Sequence, residues 1–241
     1  MKPLNEHQLH FHIDGLELVG WLHLSEHSTS ALIVGVHGLM ADKDSPKQIA
    51  LAKNLTKRGM AYFRFDHRGC GESEGQFDKE TTLQNRRNDL IAAIHAAQKV
   101  VGNSIPVGLF GSSLGGTICL TAAKQVDPFA IVTLAAPVQS SSIQLPADSP
   151  ESLKDEIVGS QLNFNIAEDI HALHHILAIH GGADIVVPVK NVDIIYHLSV
   201  QPKKRIILTD GDHRISNPSH QQCFIEEATR WFTQCFREQF T

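Results

Sequence analysis

The chain has 241 residues, 42% of them hydrophobic, so it is long enough for one substantial core and too short for two full enzyme domains. Its 21 Lys and Arg against 26 Asp and Glu give a formal net charge of -5, and no basic block could neutralise a run of phosphates. We therefore expect a single domain over residues 1–241 that does not bind nucleic acid.

The N-terminal residues and the cysteines indicate the compartment. Residues 1–7 lack the apolar core of a secretory signal, and no stretch approaches the roughly 18 apolar residues that cross a bilayer. The four cysteines have no C-x-x-C spacing, which favours free thiols over a disulfide framework or a zinc site. We expect a cytoplasmic protein without a membrane span. No apolar face is identified as an interface, so no oligomeric state is predicted.

The fifteen histidines include two clusters that raise the question of a metal site. His10 and His12 form one, and His171, His174 and His175 form the other. Neither cluster has a carboxylate or a cysteine at a known ligand spacing. We interpret these histidines as surface side chains and predict no metal.

The chain opens with a predicted hairpin. Residues 8–13 and 17–24 alternate in polarity on either side of Asp14-Gly15, a dipeptide suited to the positive φ angles of a type I′ turn.

Short runs rich in β-branched residues follow, separated by segments with a helical apolar period. The predicted strands are Ala31 to Val36, Met60 to Phe65, Pro106 to Phe110, Ala130 to Leu134, Ile176 to Ile179 and Arg205 to Leu208. The predicted helices lie near 46–58, 82–101, 114–125, 189–199 and 218–238. This alternation predicts an α/β protein with a mostly parallel, twisted sheet of about eight strands and helices on both faces.

Residues 138–170 interrupt the alternation with a Ser-rich run, prolines and the acidic residues Glu151, Asp155 and Glu156. A small lid and a plain surface connection both fit this composition, and both readings stay open.

The strongest chemical signal is Gly111-Ser112-Ser113-Leu114-Gly115, between a predicted strand and an apolar helix. A G-x-S-x-G pattern in that context predicts a nucleophile elbow, a sharp turn that exposes the serine hydroxyl. Ser113 is the predicted nucleophile.

The backbone around the elbow supplies two candidate hydrogen-bond donors. Leu39 follows a strand in His37-Gly38-Leu39, and Leu114 begins the helix after Ser113. Their N–H groups would stabilise the oxyanion of an acyl-transfer intermediate. The side chains of Leu39 and Met40 would then line an apolar substrate pocket, and His37 is read as a structural hydrogen-bonding residue.

We expect the acid and the base in loops that follow later strands, because open α/β sheets build their sites at the carboxyl ends of the strands. Asp184, after the strand that ends at Ile179, is the predicted acid, and His213, after the last strand, is the predicted base. Asp66 and Asp212 are weaker candidates for the acid. Asp66 lies in a charged loop that we interpret as structural, and Asp212 is adjacent to the histidine it would have to orient.

The order Ser113, Asp184, His213 completes a set of motifs: H-G-L, D-x-R-G-x-G-x-S, G-x-S-x-G, H-G-G-x-D and G-D-H. Together they resemble the α/β-hydrolase superfamily across nearly the whole chain, which implies the α/β-hydrolase fold. The stretch from His37 to Ser73 resembles small bacterial carboxylesterases, including the feruloyl or cinnamoyl esterase group and the serine aminopeptidase-like hydrolases.

This resemblance implies hydrolysis of a small-molecule ester without a cofactor. The connection 138–170 is shorter than the inserted cap of the feruloyl esterases, which argues against feruloyl specificity. An aminopeptidase, a thioesterase or an acyltransferase on the same residues remains an alternative, with Glu151, Asp155 or Glu156 holding a substrate amine. So does a non-catalytic ligand-binding protein of the same fold.

Overall fold

A computed structural model of the protein describes residues 5–26, 28–144 and 162–238. One sheet contains the strands β1 (Asn5–Ile13), β2 (Leu16–Leu24), β3 (Ala31–Val36), β4 (Met60–Phe65), β5 (Val107–Ser112), β6 (Ala130–Leu134), β7 (Ile176–Gly181) and β8 (Lys203–Leu208). The described helices are α1 (Pro46–Thr56), α2 (Phe77–Glu80), α3 (Leu83–Val101), α4 (Leu114–Val126), α5 (Ala167–Ile170), α6 (Lys190–Leu198) and α7 (Pro218–Glu238).

The sheet has the strand order β1-β2-β4-β3-β5-β6-β7-β8. The pairs β1–β2 and β2–β4 are antiparallel, and every later pair is parallel. At the hairpin, Asp14 and Gly15 have φ angles of 52° and 82°, as a type I′ turn requires. The predicted fold class, including the N-terminal antiparallel hairpin, is confirmed.

Strand β3 shows why the central strands read as unbroken apolar runs. Its side chains alternate between two cores: Leu32, Val34 and Val36 pack in the core that includes α3 and α4, whereas Ala31 and Ile33 pack in the core that includes α1 and α7. All six residues of β3 are buried because helices cover both faces of the sheet.

The structure adds elements that the sequence did not predict. Helices α2 and α5 have four residues each, too few to show an apolar period, and a short 3-10 turn spans Ser140–Ser142. Residues 145–161, with the three acidic side chains of the possible lid, lie outside the described residues. Just beyond both ends of that gap, Gln139 and Asn165 form an antiparallel bridge. In the described ranges, no helix is long and apolar enough to cross a membrane.

Candidate functional site

The loops after four strands meet at one edge of the sheet. His37 follows β3, Ser113 follows β5, Asp184 lies beyond β7 and His213 lies beyond β8. These four strands are parallel, so their carboxyl ends share that edge. The fold therefore brings together residues that are up to 176 positions apart in the sequence.

Ser113 occupies the sharp turn that the sequence predicted. Its backbone angles are φ 52° and ψ -126°, a conformation that a non-glycine residue adopts only under strain. The turn is held by a hydrogen bond from the Ser113 N–H to the Leu134 carbonyl, at 2.7 Å. The strained turn ends β5 and begins α4 within one residue, which lifts the serine side chain above the sheet edge.

Gly115 lets α4 begin this close to the sheet. A Cβ atom at this position would lie 2.2 Å from the Val36 carbonyl oxygen and 2.7 Å from that of His37. Both neighbours are backbone atoms at the end of β3, so neither can rotate away. Only glycine permits the first turn of α4, which carries Ser113, to pack against the loop that carries Leu39.

The three predicted side chains form a continuous line of hydrogen bonds. His213 Nε2 lies 3.1 Å from Ser113 Oγ, and His213 Nδ1 lies 2.8 Å from Asp184 Oδ2. A carboxylate only accepts, so Nδ1 carries the imidazole proton of the neutral ring and Nε2 is left to accept from the serine. The arrangement can withdraw a proton from the Ser113 hydroxyl.

Asp184 is fixed by several donors and its side chain is fully buried. Oδ1 accepts from the N–H groups of Val186 at 2.9 Å and Val187 at 2.8 Å. Burial alone would raise the pKa of this carboxyl, but hydrogen bonds from His180, His213 and Val187 outweigh it and hold the pKa well below its ordinary value. Asp184 is therefore ionised throughout the physiological pH range.

The two competing acids have other partners. Asp212 Oδ1 accepts from the Ser216 N–H at 2.6 Å and Oδ2 from the Ser216 hydroxyl at 2.7 Å. Asp66 accepts from the N–H groups of Lys43 at 2.7 Å and Glu72 at 3.0 Å, as a structural loop residue does. The structure places Asp184, and neither of these residues, against His213 Nδ1.

The peptide between Gly38 and Leu39 has a defined orientation. The Gly38 carbonyl accepts from His37 Nδ1 at 2.8 Å and from buried Arg86 at 3.5 Å. The C=O and N–H of a trans peptide point in opposite directions, so the Leu39 N–H points away from these two side chains.

His37 Nε2 accepts from the His67 N–H at 3.1 Å, which identifies the tautomer of His37. Burial, followed by nearby His67 and Arg86, lowers the pKa of His37 well below its ordinary value, so the ring is neutral.

The two predicted oxyanion donors are both available. Leu114 is the first residue of α4, so its N–H has no partner within the helix. Within the described ranges, no backbone or side-chain acceptor takes the N–H of Leu39 or of Leu114. Both residues line the cavity that contains Ser113, so two free N–H donors are present beside the serine.

The cavity has a volume of about 820 Å³ and opens at the sheet edge. The side chains that line it include seven large apolar ones: Leu39, Met40, Ile143, Leu162, Phe164, Val186 and Val187. Met40 is 66% exposed and lies at the mouth, whereas Leu39 is half-buried. Across the described parts of the chain, no three His, Cys, Asp or Glu side chains are grouped so as to hold a metal ion.

The sequence did not predict the residues that hold the site residues in position through hydrogen bonds. His180 was visible in the H-G-G-x-D motif, yet no role was predicted for it. Its Nε2 donates to the Val187 carbonyl at 2.9 Å and lies 3.3 Å from Asp184 Oδ2. Arg86, in the first turn of α3, has no motif around it, and only the fold places it under the Leu39 loop.

Known proteins similar to this chain include a bacterial protein and a mitochondrial thioesterase. YfhR of Salmonella typhimurium is 29% identical over 219 residues, which cover 83% of this chain and 71% of that protein. The mitochondrial palmitoyl-protein thioesterase ABHD10 of Homo sapiens is 28% identical over 227 residues, which cover 80% of this chain and 70% of that protein.

Solved structures share the architecture. Est1E from Butyrivibrio proteoclasticus, with ferulic acid bound, superposes with a TM-score of 0.79 at 16% identity and covers 95% of this chain and 99% of its own. The esterase Pf2001 of Pyrococcus furiosus also gives 0.79 at 16% identity, over 96% of this chain and 91% of its own. At these identities the likeness shows the fold, which is the predicted α/β-hydrolase fold. Residues 27–160, more than half of the chain, match the family described as "Serine aminopeptidase, S33". The chain therefore belongs to this family of α/β hydrolases.

Proposed function

We propose that this hydrolase cleaves carboxylic esters through a covalent acyl-enzyme, with Ser113 as nucleophile, His213 as general base and Asp184 as the residue that orients the histidine. The observation that supports this most directly is the line of hydrogen bonds from Ser113 Oγ through His213 to Asp184, at 3.1 and 2.8 Å. The neutral tautomer and the buried carboxylate are what a base of this kind needs.

The first half-reaction forms the acyl-enzyme. Ser113 Oγ attacks the ester carbonyl carbon while its proton passes to His213 Nε2. The negative charge on the former carbonyl oxygen is met by the N–H groups of Leu39 and Leu114, each worth about 3 kcal/mol in sites of this type. When the intermediate collapses, the C–O bond to the alcohol breaks and the alcohol leaves with the proton from His213.

The second half-reaction releases the acid. Water takes the place of the alcohol, gives its proton to His213 and attacks the acyl carbonyl, and Ser113 recovers its proton as the carboxylic acid leaves. Asp184 keeps its negative charge throughout, because its pKa is held so low, and it stabilises the imidazolium that forms in each half. Every step uses the chain's own groups, so the proposed partner is a small-molecule ester and no cofactor takes part.

The first experiment is hydrolysis of p-nitrophenyl esters from acetate to laurate by the wild-type protein and by Ser113→Ala. The adjacent Ser112→Ala variant is the matched control, since it removes a hydroxyl from the same turn. We expect Ser113→Ala to lose several orders of magnitude in kcat while its circular dichroism stays unchanged, and Ser112→Ala to remain active. The chain-length profile measures how much of the apolar lining of the cavity, including Leu39 and Met40, contacts the acyl group.

A second candidate is thioester hydrolysis, favoured by the likeness to the thioesterase ABHD10. The family's aminopeptidase description similarly favours an amide substrate. Comparing kcat/KM on a decanoyl oxyester, the matching thioester and an aminoacyl anilide separates the three. A fluorophosphonate probe that fails to label Ser113 in folded protein would favour a non-catalytic binding protein.

A further inference from the structure

The cavity beside Ser113 has a wall that the proposed mechanism does not use. The start of α1 and the loop after β8 form it, and we call Ser45, Lys47, Gln48 and Arg214 the basic wall. Lys47 Nζ donates to the Arg214 carbonyl at 2.8 Å, which joins two segments 167 positions apart. The fold therefore holds the residues of the basic wall together through a direct hydrogen bond.

Gln48 contributes a buried donor that lacks an acceptor. Its side chain is 2% exposed, and its Oε1 accepts from the Tyr62 hydroxyl. Among the described residues, its Nε2 has no hydrogen-bond partner. An unmet buried N–H costs about 1 to 3 kcal/mol, so a ligand atom that reached Nε2 and accepted its hydrogen bond would be stabilised. Gly35 leaves the space for the Gln48–Tyr62 pair, since a Cβ there would lie 2.0 Å from Gln48 Oε1.

The charges on the basic wall have one sign. Lys47 and Arg214 are both cationic, and no described residue that lines the cavity is a carboxylate. Neither cation forms a side-chain ion pair within the described ranges, and nearby Asp212 is engaged by Ser216. Burial lowers the pKa of Lys47, Asp212 acts to raise it, and Arg214 acts to lower it.

The position of Lys47 is unfavourable for the protein alone. It is the second residue of α1, where the helix N-terminus carries partial positive charge, and the first turn contains no acidic residue. An acidic residue at that place would instead stabilise the helix by about 0.3 to 1 kcal/mol. A bound anion would interact favourably with Lys47 at the helix N-terminus and with Arg214, the second cation. It would also offer an acceptor for the unmet amide N–H of Gln48.

We infer that the basic wall binds an anionic group, a carboxylate or a phosphate, carried by the substrate, while the apolar part of the substrate contacts the apolar side chains that line the same cavity. The inference rests on the proposed function, because the scissile ester has to lie at Ser113, which lines the same cavity. It narrows the substrate class from esters in general to amphiphilic esters with one charged end.

The kinetic test uses pairs of substrates that differ in one charge. On the acyl side, mono-p-nitrophenyl adipate is compared with its methyl ester. On the alcohol side, 4-carboxyphenyl and 4-phosphonophenyl butyrate are compared with 4-carbamoylphenyl butyrate. We expect kcat/KM to favour the anion by about tenfold in at least one pair, the value of one charge-assisted hydrogen bond. The pair in which the anion is preferred identifies which side of the ester, acyl or alcohol, carries the charge and which anion is bound.

The variants then assign that preference to the basic wall. Lys47→Gln and Arg214→Gln should each lower the anionic-to-neutral ratio of kcat/KM about tenfold. Lys57→Gln, the same change at the exposed far end of α1, should leave the ratio unaltered. A ratio of one or less in every pair, or a preference that survives both wall substitutions, overturns the inference. Ser113-dependent hydrolysis of the neutral esters in that case leaves the proposed function intact.

A binding measurement decides the inference without turnover. In ¹⁵N-labelled Ser113→Ala protein, the side-chain amide of Gln48, assigned by its absence from Gln48→Leu, is followed during addition of hexanoate or hexanamide. Hexanoate should shift this signal more strongly than hexanamide, and Lys47→Gln should weaken the response. An equal response to both compounds, or none to either, overturns the inference even if no ester is hydrolysed.

Discussion

Gly115→Ala tests whether the close contact between α4 and the end of β3 sets the geometry of the site. The new Cβ would lie 2.2 Å from the Val36 carbonyl oxygen and 2.7 Å from that of His37. Carbon and oxygen atoms need more than 3 Å, so the two backbone segments must separate by roughly 1 Å. Since Ser113 and the Leu114 N–H move with α4, they shift relative to the Leu39 N–H.

Two effects of different size follow from that shift. Overpacking costs about 1 to 3 kcal/mol, of which the better helix propensity of alanine returns up to about 1 kcal/mol. The net loss, at most about 3 kcal/mol, corresponds to a fall in Tm of up to about 12 °C for a chain of this size. A displacement of roughly 1 Å at the reacting groups costs about 100-fold in kcat. Catalysis should therefore suffer much more than folding.

The assay pairs thermal unfolding, followed by circular dichroism, with kcat and KM on p-nitrophenyl butyrate. Gly102→Ala is the matched control, because Gly102 ends α3 with φ 114° and has no neighbour closer than 3.7 Å to the added Cβ. It should lose stability through backbone strain while keeping kcat. If Gly115→Ala keeps its full kcat, whatever its Tm, the contact does not position the oxyanion donors and the reasoning is refuted.

Three further predictions rest on buried polar groups. Asp184→Asn should lower kcat about 10⁴-fold with little change in KM, because the amide favours the wrong histidine tautomer. Steady-state kinetics measure this, and a much smaller loss of kcat would contradict it. Lys43→Met should cost about 3 kcal/mol in urea unfolding, since it leaves the fully buried Asp66 carboxylate without its cation at 2.9 Å, and a loss below about 1 kcal/mol contradicts this. Burial lowers the pKa of His23 and of His67 to about 4. Below about pH 6.5 these histidines become protonated in the unfolded chain but stay neutral in the native state. The free energy of unfolding is therefore highest above that pH and falls by about 2 kcal/mol per histidine by pH 5. Urea titrations at pH 7 and 5 measure this, and equal midpoints would contradict it.

Local patterns were sufficient for the strands, for the longer helices and for the main positions of the site. The positive φ angles at Asp14 and Gly15 follow from the dipeptide itself, and the strained turn at Ser113 follows from its flanking glycines. The buried strands were recognisable because both faces of the sheet are covered. The structure brings Ser113, Asp184 and His213 together as the motifs predicted, while their catalytic roles stay predictions for the kinetic experiments.

Four-residue helices escaped prediction because a single turn has no apolar period. The supporting residues escaped it for another reason: their roles come from contacts between distant segments. Arg86 sits in an ordinary helical pattern, and only the packing of α3 under the Leu39 loop gives its guanidinium two carbonyls to bind.

The sequence by itself determined the α/β alternation, the hairpin and the strand-to-helix turn, because each depends on residues within a few positions of one another. It also determined which side chains lie after the ends of parallel strands, and hence the edge where they meet. The tertiary structure alone decided that Gln48 is buried with an unmet N–H and that Lys47 lies beside Arg214. Burial and charge environment are sums over neighbours from the whole chain, so no local pattern contains them.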